Sequence, residues 1–159
     1  MYTDRDLAHE WLDTRRFNLG THPDHTFARH ILETFKTVLE QTAAENGIPI
    51  LIQFDQLTSG KLFRGETEDV LLVSHPKESY GVKLVRVQLM GNFAFVYTFT
   101  VVDGLQGLLV VSDDEEGIMA TVSRFRNVVS GHKSKYEKEK QYQNVLKTCF
   151  EDAFQRLSE

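Results

Sequence analysis

Residues 82–102 read VKLVRVQLMGNFAFVYTFTVV and carry most of the information about the fold. β-Branched and aromatic side chains dominate both halves, and Gly91-Asn92 between them favours a two-residue turn. We therefore predict a β-hairpin of residues 82–90 and 93–102. Such a turn also sets the register, because each residue then lies opposite the one at equal distance from the turn.

This register sorts the side chains onto two unlike faces, and a second hairpin candidate at Asp103-Gly104 extends the pattern. One face receives small or branched side chains suited to packing against helices: Val85, Val87, Leu89, Ala94, Val96, Thr98, Leu105, Leu109 and Val111. The other face pairs Met90 with Phe93, Gln88 with Phe95, Arg86 with Tyr97, and Leu84 with Phe99, and continues through Leu108 and Val110. This second face is aromatic but interrupted by polar groups.

Hydrophobic periodicity and capping residues predict the other elements. A first helix is expected to begin at Thr3, with Leu7, Ala8, Trp11 and Leu12 on one side, and a second ends near Asn46-Gly47. After the strands, SDDE at 112–115 begins a helix that ends at Gly131, and SKYE at 134–137 begins the last one. Further strands are expected at 50–54, 69–73 and 105–111, with a Gly-containing loop over 55–68.

These elements predict a single α+β domain over residues 1–159. We expect a mostly antiparallel sheet of about five strands, with two helices before it and two after it. A hydrophobic fraction of 41% and a charged fraction of 26% are those of a globular protein. No segment approaches the roughly 20 apolar residues that cross a bilayer, so no membrane association is expected.

A cytoplasmic location is expected from the N-terminal residues and the cysteine content. The sequence starts MYTDRDLAHEWLD, which is acidic and lacks the pattern of a signal peptide. Cys149 is the lone cysteine, so no intrachain disulfide can form. It lies within the apolar positions of the last predicted helix, where a thiol is core rather than nucleophile.

The stretch THPDHTFARH, residues 21–30, raises the question of a metal site. A 100° step per residue places His22, His25 and His30 on the solvated side of the predicted helix or at its margin. His22 and His25 are too few for the three or four protein ligands of a zinc site, and no third ligand is evident. We predict no metal and no cofactor.

Other catalytic motifs are incomplete. DQLTSGKL at 55–62 lacks the first Gly and the final hydroxyl of a phosphate-binding loop. The acidic run 113–116 lacks the alternating ligands of a calcium loop, and the helix dipole accounts for it. Whether the protein is an enzyme therefore stays open.

The aromatic face is the strongest candidate for function, because contiguous apolar surface usually marks an interface or a groove. A second layer of the same chain could equally cover it. Our first hypothesis is a non-catalytic binding or regulatory module that uses this face for a protein partner, a second copy or a small apolar or anionic ligand. The candidate residues are Arg86, Gln88, Phe93, Phe95, Tyr97 and Phe99.

Two alternatives belong to other classes. One is a small enzyme with its site in a groove over the same face, where His75 or His132 at the rim would serve as the base. The other is nucleic-acid binding through residues 124–147, which hold seven Lys or Arg against two Glu in a chain of net charge −5. No recognised nucleic-acid motif accompanies that charge, and a solvated helix is the commoner explanation.

Overall fold

A computed structural model describes residues 2–3, 7–20, 26–59, 66–101 and 133–158. Two helices and a six-stranded sheet make up these ranges, and the strand order is β1-β3-β4-β5-β6-β2. The elements are β1 (Tyr2–Thr3), β2 (Leu7–Asn18), α1 (Thr26–Glu45), β3 (Leu51–Ser59), β4 (Glu66–Ser74), β5 (Lys83–Met90), β6 (Phe93–Val101) and α2 (Lys133–Leu157). The five long strands pair antiparallel, and the two-residue β1 pairs parallel to β3.

The predicted hairpin of β5 and β6 is confirmed with its register. Met90 lies opposite Phe93, and the pairing continues without a shift to Lys83 opposite Thr100. Gly91 takes a φ of +59°, a backbone conformation that side-chain-bearing residues rarely adopt, and so it permits the tight turn. The second hairpin, including Asp103-Gly104 and the strand 105–111, lies outside the described residues.

The predicted helix at Thr3 is wrong, because residues 7–18 form β2 and pair with β6. The register shifts between Glu10 and Leu12 and again between Leu12 and Arg15. These irregularities let Trp11, Leu12 and Arg15 all contact the core that α2 covers. Core contacts at i, i+1 and i+4 match the spacing of an amphipathic helix, so the bulged strand resembles a helix in sequence.

Helix α1 confirms the second predicted helix and its end. Leu32, Phe35 and Leu39 repeat at helical spacing and are buried. At the C-terminus the Gly47 amide donates to Ala44 and the Ile48 amide donates to Ala43, both at 3.1 Å. This pair of bonds is a Schellman motif, which requires the left-handed conformation that Gly47 adopts at a φ of +70°.

Both described helices cover the same face of the sheet, which we call the core face. Its strand residues share one buried cluster with side chains of α1 and α2. Phe35 of α1 stacks on Phe154 of α2 with ring centroids 4.9 Å apart, and Trp11 of β2 meets Phe150 edge to face at 5.0 Å. Cys149 is fully buried here, and burial raises the pKa of its thiol, as expected for a core cysteine.

The predicted arrangement of two helices before and two after the sheet is therefore wrong. In the described ranges one helix follows β2, another ends the chain, and the N-terminal segment belongs to the sheet. The predicted helix over 112–131 lies outside these ranges. Strands β3 and β4 also extend into the predicted 55–68 loop, to Ser59 and from Glu66. Neither α1 nor α2 combines the length and apolar character needed to span a bilayer.

Candidate functional site

The six predicted site residues lie together on the face of the sheet opposite to the helices, which we call the aromatic face. Phe93, Phe95, Tyr97 and Phe99 follow one another at every second position of β6. Gln88 and Arg86 of β5 lie directly opposite Phe95 and Tyr97. Alternation along the strand therefore turns a sequence pattern into one row of side chains.

The aromatic row is half-buried rather than enclosed. Each of its four rings is partly accessible, while their strand neighbours Ala94, Val96 and Thr98 on the core face are at most 1% exposed. Tyr97 and Phe99 are nearly parallel, with centroids 6.2 Å apart. At the turn end of the face, Met90 is 72% exposed.

An ion pair interrupts the aromatic face next to Tyr97. The Arg86 guanidinium donates to the Glu68 carboxylate of β4, and the two side chains are 16% and 29% exposed. Pairing lowers the cost of placing a cation on an apolar surface, because the carboxylate replaces lost water contacts. Arg86 is predicted from the sequence, but Glu68 is not. The connection between β4 and β5 has no turn motif, so the sequence does not indicate which residues of the two strands lie side by side.

A second arginine also reaches this face from β2. Arg16 lies opposite Phe95, and its guanidinium stands 4.9 Å from the centre of the Phe93 ring. Cation–π contacts of this kind hold both partners in place. Sequence analysis missed Arg16, because its segment was predicted to be helical.

The end of the aromatic face distant from the β5–β6 turn merges with a second buried cluster. Leu84, Val70 and Leu72 belong to it, and Phe99 packs against it. No residue of α1 or α2 is a member of this cluster. In the described part of the chain, the aromatic face is thus supported at one end and accessible toward Met90.

Two grooves lie away from the aromatic row, and neither is lined by a residue of β5 or β6. One, of about 610 Å³, runs between β2 and α2 beside Trp11, Lys147 and Glu151. The other, of about 560 Å³, lies at the start of α1, where Arg29 donates to Glu33 and Asp69. The Glu33 hydrogen bond raises the pKa of Arg29, so this cation is already satisfied by the chain's own acids.

The enzyme alternative finds no support in the position of His75. This residue follows β4 and contacts Tyr80 and Tyr142 of α2, away from the aromatic row. His132 lies outside the described residues. Of the two histidines proposed as the base, His75 thus lies away from Arg86 and Tyr97.

The metal question is answered only in part. His30 is exposed on α1 as predicted, whereas His22 and His25 lie outside the described residues. Within the described ranges, no group of three His, Cys, Asp or Glu side chains could hold a metal ion. Asp55 to Ser59 of the phosphate-loop candidate form the end of β3, and the acidic run 113–116 is outside the description.

The basic segment 124–147 is described only from residue 133. Lys138, Lys140 and Lys147 are exposed on α2, as expected for a solvated helix surface. Buried Lys83, which sequence analysis did not single out, donates to the Thr100 hydroxyl at 3.1 Å on the core face. Its amine also lies 4.5 Å from the Trp11 ring centre, so this cation is held within the core.

No protein-family model, curated protein or solved structure gives a significant match to the chain.

Proposed function

We propose that the protein is a non-catalytic binding module that engages another protein chain through its aromatic face. The observation that carries the proposal is the row Phe93, Phe95, Tyr97 and Phe99, which faces away from both described helices and stays half-buried. Part of the apolar surface of these rings is exposed to water, and a bound partner would bury it with a gain in free energy.

The residue types on the aromatic face support a protein partner. Tyr and Arg are enriched at binding hot spots, and Phe and Met are enriched at interface centres. Tyr97, Arg86 and the exposed Met90 supply these types within a single hairpin. Each aromatic ring offers a large contact area while few rotatable bonds must be fixed.

Charge favours a protein over a nucleic acid. A phosphate backbone is attracted by a surplus of Lys and Arg. Here the net charge is −5, and Arg86 is already paired with Glu68. The grooves beside β2 and at the start of α1 contain no residue of the aromatic row, so neither supports a small-ligand site on this face.

Charged substitutions on the face test the proposal. Phe95→Glu and Tyr97→Glu place a carboxylate where a partner would bury it, so binding should be lost. Gln88→Lys is the milder variant, since Gln88 is exposed and a charge there costs the free chain little. Gln41→Glu, on the exposed side of α1, is the matched control.

Sedimentation velocity and circular dichroism give the outcomes. If the partner is a second copy, the wild type sediments as a dimer, and the three face variants become folded monomers while Gln41→Glu stays dimeric. If the partner is another protein, a protein captured by wild type and by Gln41→Glu is lost with Gln88→Lys. Unfolding of both Glu variants, together with unchanged association of Gln88→Lys, would identify the face as intrachain core and refute the proposal.

A cytoplasmic location stays a prediction from the composition. The one cysteine of the chain is free and buried, so the fold needs no oxidising compartment. In the cytoplasm the aromatic face would meet cytoplasmic proteins.

A further inference from the structure

The connection between β4 and β5, residues 75–82, is organised by a histidine ring nitrogen. His75 Nδ1 accepts hydrogen bonds from the backbone amides of Lys77 at 3.0 Å and Glu78 at 2.9 Å. A ring nitrogen can accept only when it carries no proton. This arrangement therefore requires the neutral imidazole with its proton on Nε2.

The same ring joins the connection to α2. Its centroid lies 5.2 Å from the Tyr80 ring and 4.9 Å from the Tyr142 ring, and the two tyrosines are themselves 5.3 Å apart. Tyr142 also donates its hydroxyl hydrogen to the Pro49 carbonyl oxygen at 2.7 Å. Three separate parts of the chain thus meet around His75.

Backbone hydrogen bonds of Gly81 complete this junction. Its amide donates to the Glu139 carboxylate, and its carbonyl accepts from the side-chain amide of Gln143, both at 3.2 Å. Glu139, Tyr142 and Gln143 lie on one side of α2 because they are three and four positions apart. The helix therefore holds the connection through one continuous surface.

We propose that His75 makes the docking of residues 75–82 on α2 dependent on pH. Protonation of Nδ1 removes the acceptor of two amides and directs a third N–H group at them. Histidine is the side chain that ordinarily changes charge between about pH 5 and 8. Because the docked state requires the neutral ring, it binds fewer protons than the open state, and acidification favours opening.

The charged and titratable groups around the ring come from the connection and from α2. Burial raises the pKa of both Tyr80 and Tyr142, so both phenols stay neutral across the range in question. Glu78 and Glu139 lie close enough to Tyr80 to raise its pKa further, and Lys77 is exposed. The carboxylates would attract an imidazolium, whereas the two amides in direct contact with Nδ1 would oppose one.

His75→Asn provides the decisive variant. The Asn Oδ1 atom occupies nearly the position of Nδ1 and can accept from the same two amides, yet it does not titrate in this range. His75→Ala removes the acceptor altogether. All other histidines are common to the three proteins, so their contribution cancels in the comparison.

Thermal unfolding at about pH 7.5 and about pH 5.5 measures the effect. On acidification the wild-type Tm should fall by about 2 to 6 °C more than that of His75→Asn. His75→Ala should have a lowered Tm at both values and a slope like that of His75→Asn. Parallel pH profiles of the wild type and His75→Asn would overturn the proposal.

Nitrogen NMR of the wild-type imidazole gives a second test that needs no variant. At about pH 7.5 the proton should reside on Nε2, and the Lys77 and Glu78 amides should exchange slowly with solvent. On acidification, their exchange, corrected for the intrinsic pH effect, should accelerate together with that of Gly81. A proton on Nδ1 at the higher pH would refute the proposed geometry.

Discussion

The two faces of the sheet are built from alternate residues of the same strands, yet they end in different environments. On the core face, Val85 and Val96 are buried in one cluster with Phe35 and Phe154 of the helices. On the aromatic face, the larger ring of Tyr97 stays only partly buried. Since strand propensity is shared by both, burial here follows from where the helices pack, and ring size alone does not predict it.

The largest expected difference between the faces is in the cost of removing a ring. Phe35→Ala deletes a side chain that is 1% exposed and touches both Phe150 and Phe154, so unfolding by urea should show a loss of about 3 to 5 kcal/mol. Phe95→Ala should cost less than about 2 kcal/mol, because its ring is partly in water already. Equal losses for the two would mean that the faces are equally buried.

An intermediate effect is expected from the ion pair of the aromatic face. Glu68→Gln leaves the partly buried Arg86 cation without its carboxylate and should cost about 1 to 2 kcal/mol in the free energy of unfolding. Glu45→Gln is the matched control, since the Glu45–Arg156 pair is exposed and its loss should leave the urea midpoint unchanged. If both variants lose the same free energy of unfolding, the ion pair on the aromatic face is as accessible to solvent as the pair on the helix surface.

The smallest effect concerns a phenol on the core side. Burial raises the pKa of Tyr142 to about 12 from an ordinary value of 10.0. The folded state therefore keeps this proton while the unfolded chain releases it, so the stability contribution present below about pH 10 is lost as the pH rises toward 12. Phenolate absorbance should show a tyrosine that titrates at about pH 12 and is absent in Tyr142→Phe.

The same variant links that titration to stability. Tyr142→Phe loses the hydrogen bond to Pro49 and should cost about 1 kcal/mol at neutral pH. Its alkaline loss of stability should be shallower than that of the wild type. An unchanged alkaline profile would show that another group is responsible.

Local rules were sufficient for the parts of the fold that depend on neighbouring residues. Gly91-Asn92 determines the β5–β6 register, because a tight turn allows few pairings, and Gly47 ends α1 because it can adopt a positive φ. The six residues of the aromatic face follow from that register alone. Their gathering on one face was therefore predictable.

The misses have a common physical cause, which is pairing between distant segments. Residues 7–18 join the sheet only because β6 is available, and the bulges that fit them to it produce a helical spacing in sequence. Arg16 reaches the aromatic face through such long-range pairing, and Glu68 reaches it through the pairing of β4 with β5 across a connection that has no turn motif. The junction at His75 was likewise hidden, because Tyr142 lies far along the chain and no local motif connects the two.

The irregular pairing of β2 has a further consequence for strand addition at the edge of the described sheet. β2 is the last strand in the order of the described sheet, and a flat, regular strand in that position offers a template for another chain to add to. The register shifts between Glu10 and Leu12 and between Leu12 and Arg15 make this strand irregular, and Asp13, Arg15 and Arg16 are exposed charged residues within it. At the opposite end β1 extends over only two residues. In the described sheet, neither edge therefore offers a long, regular strand for another chain to extend.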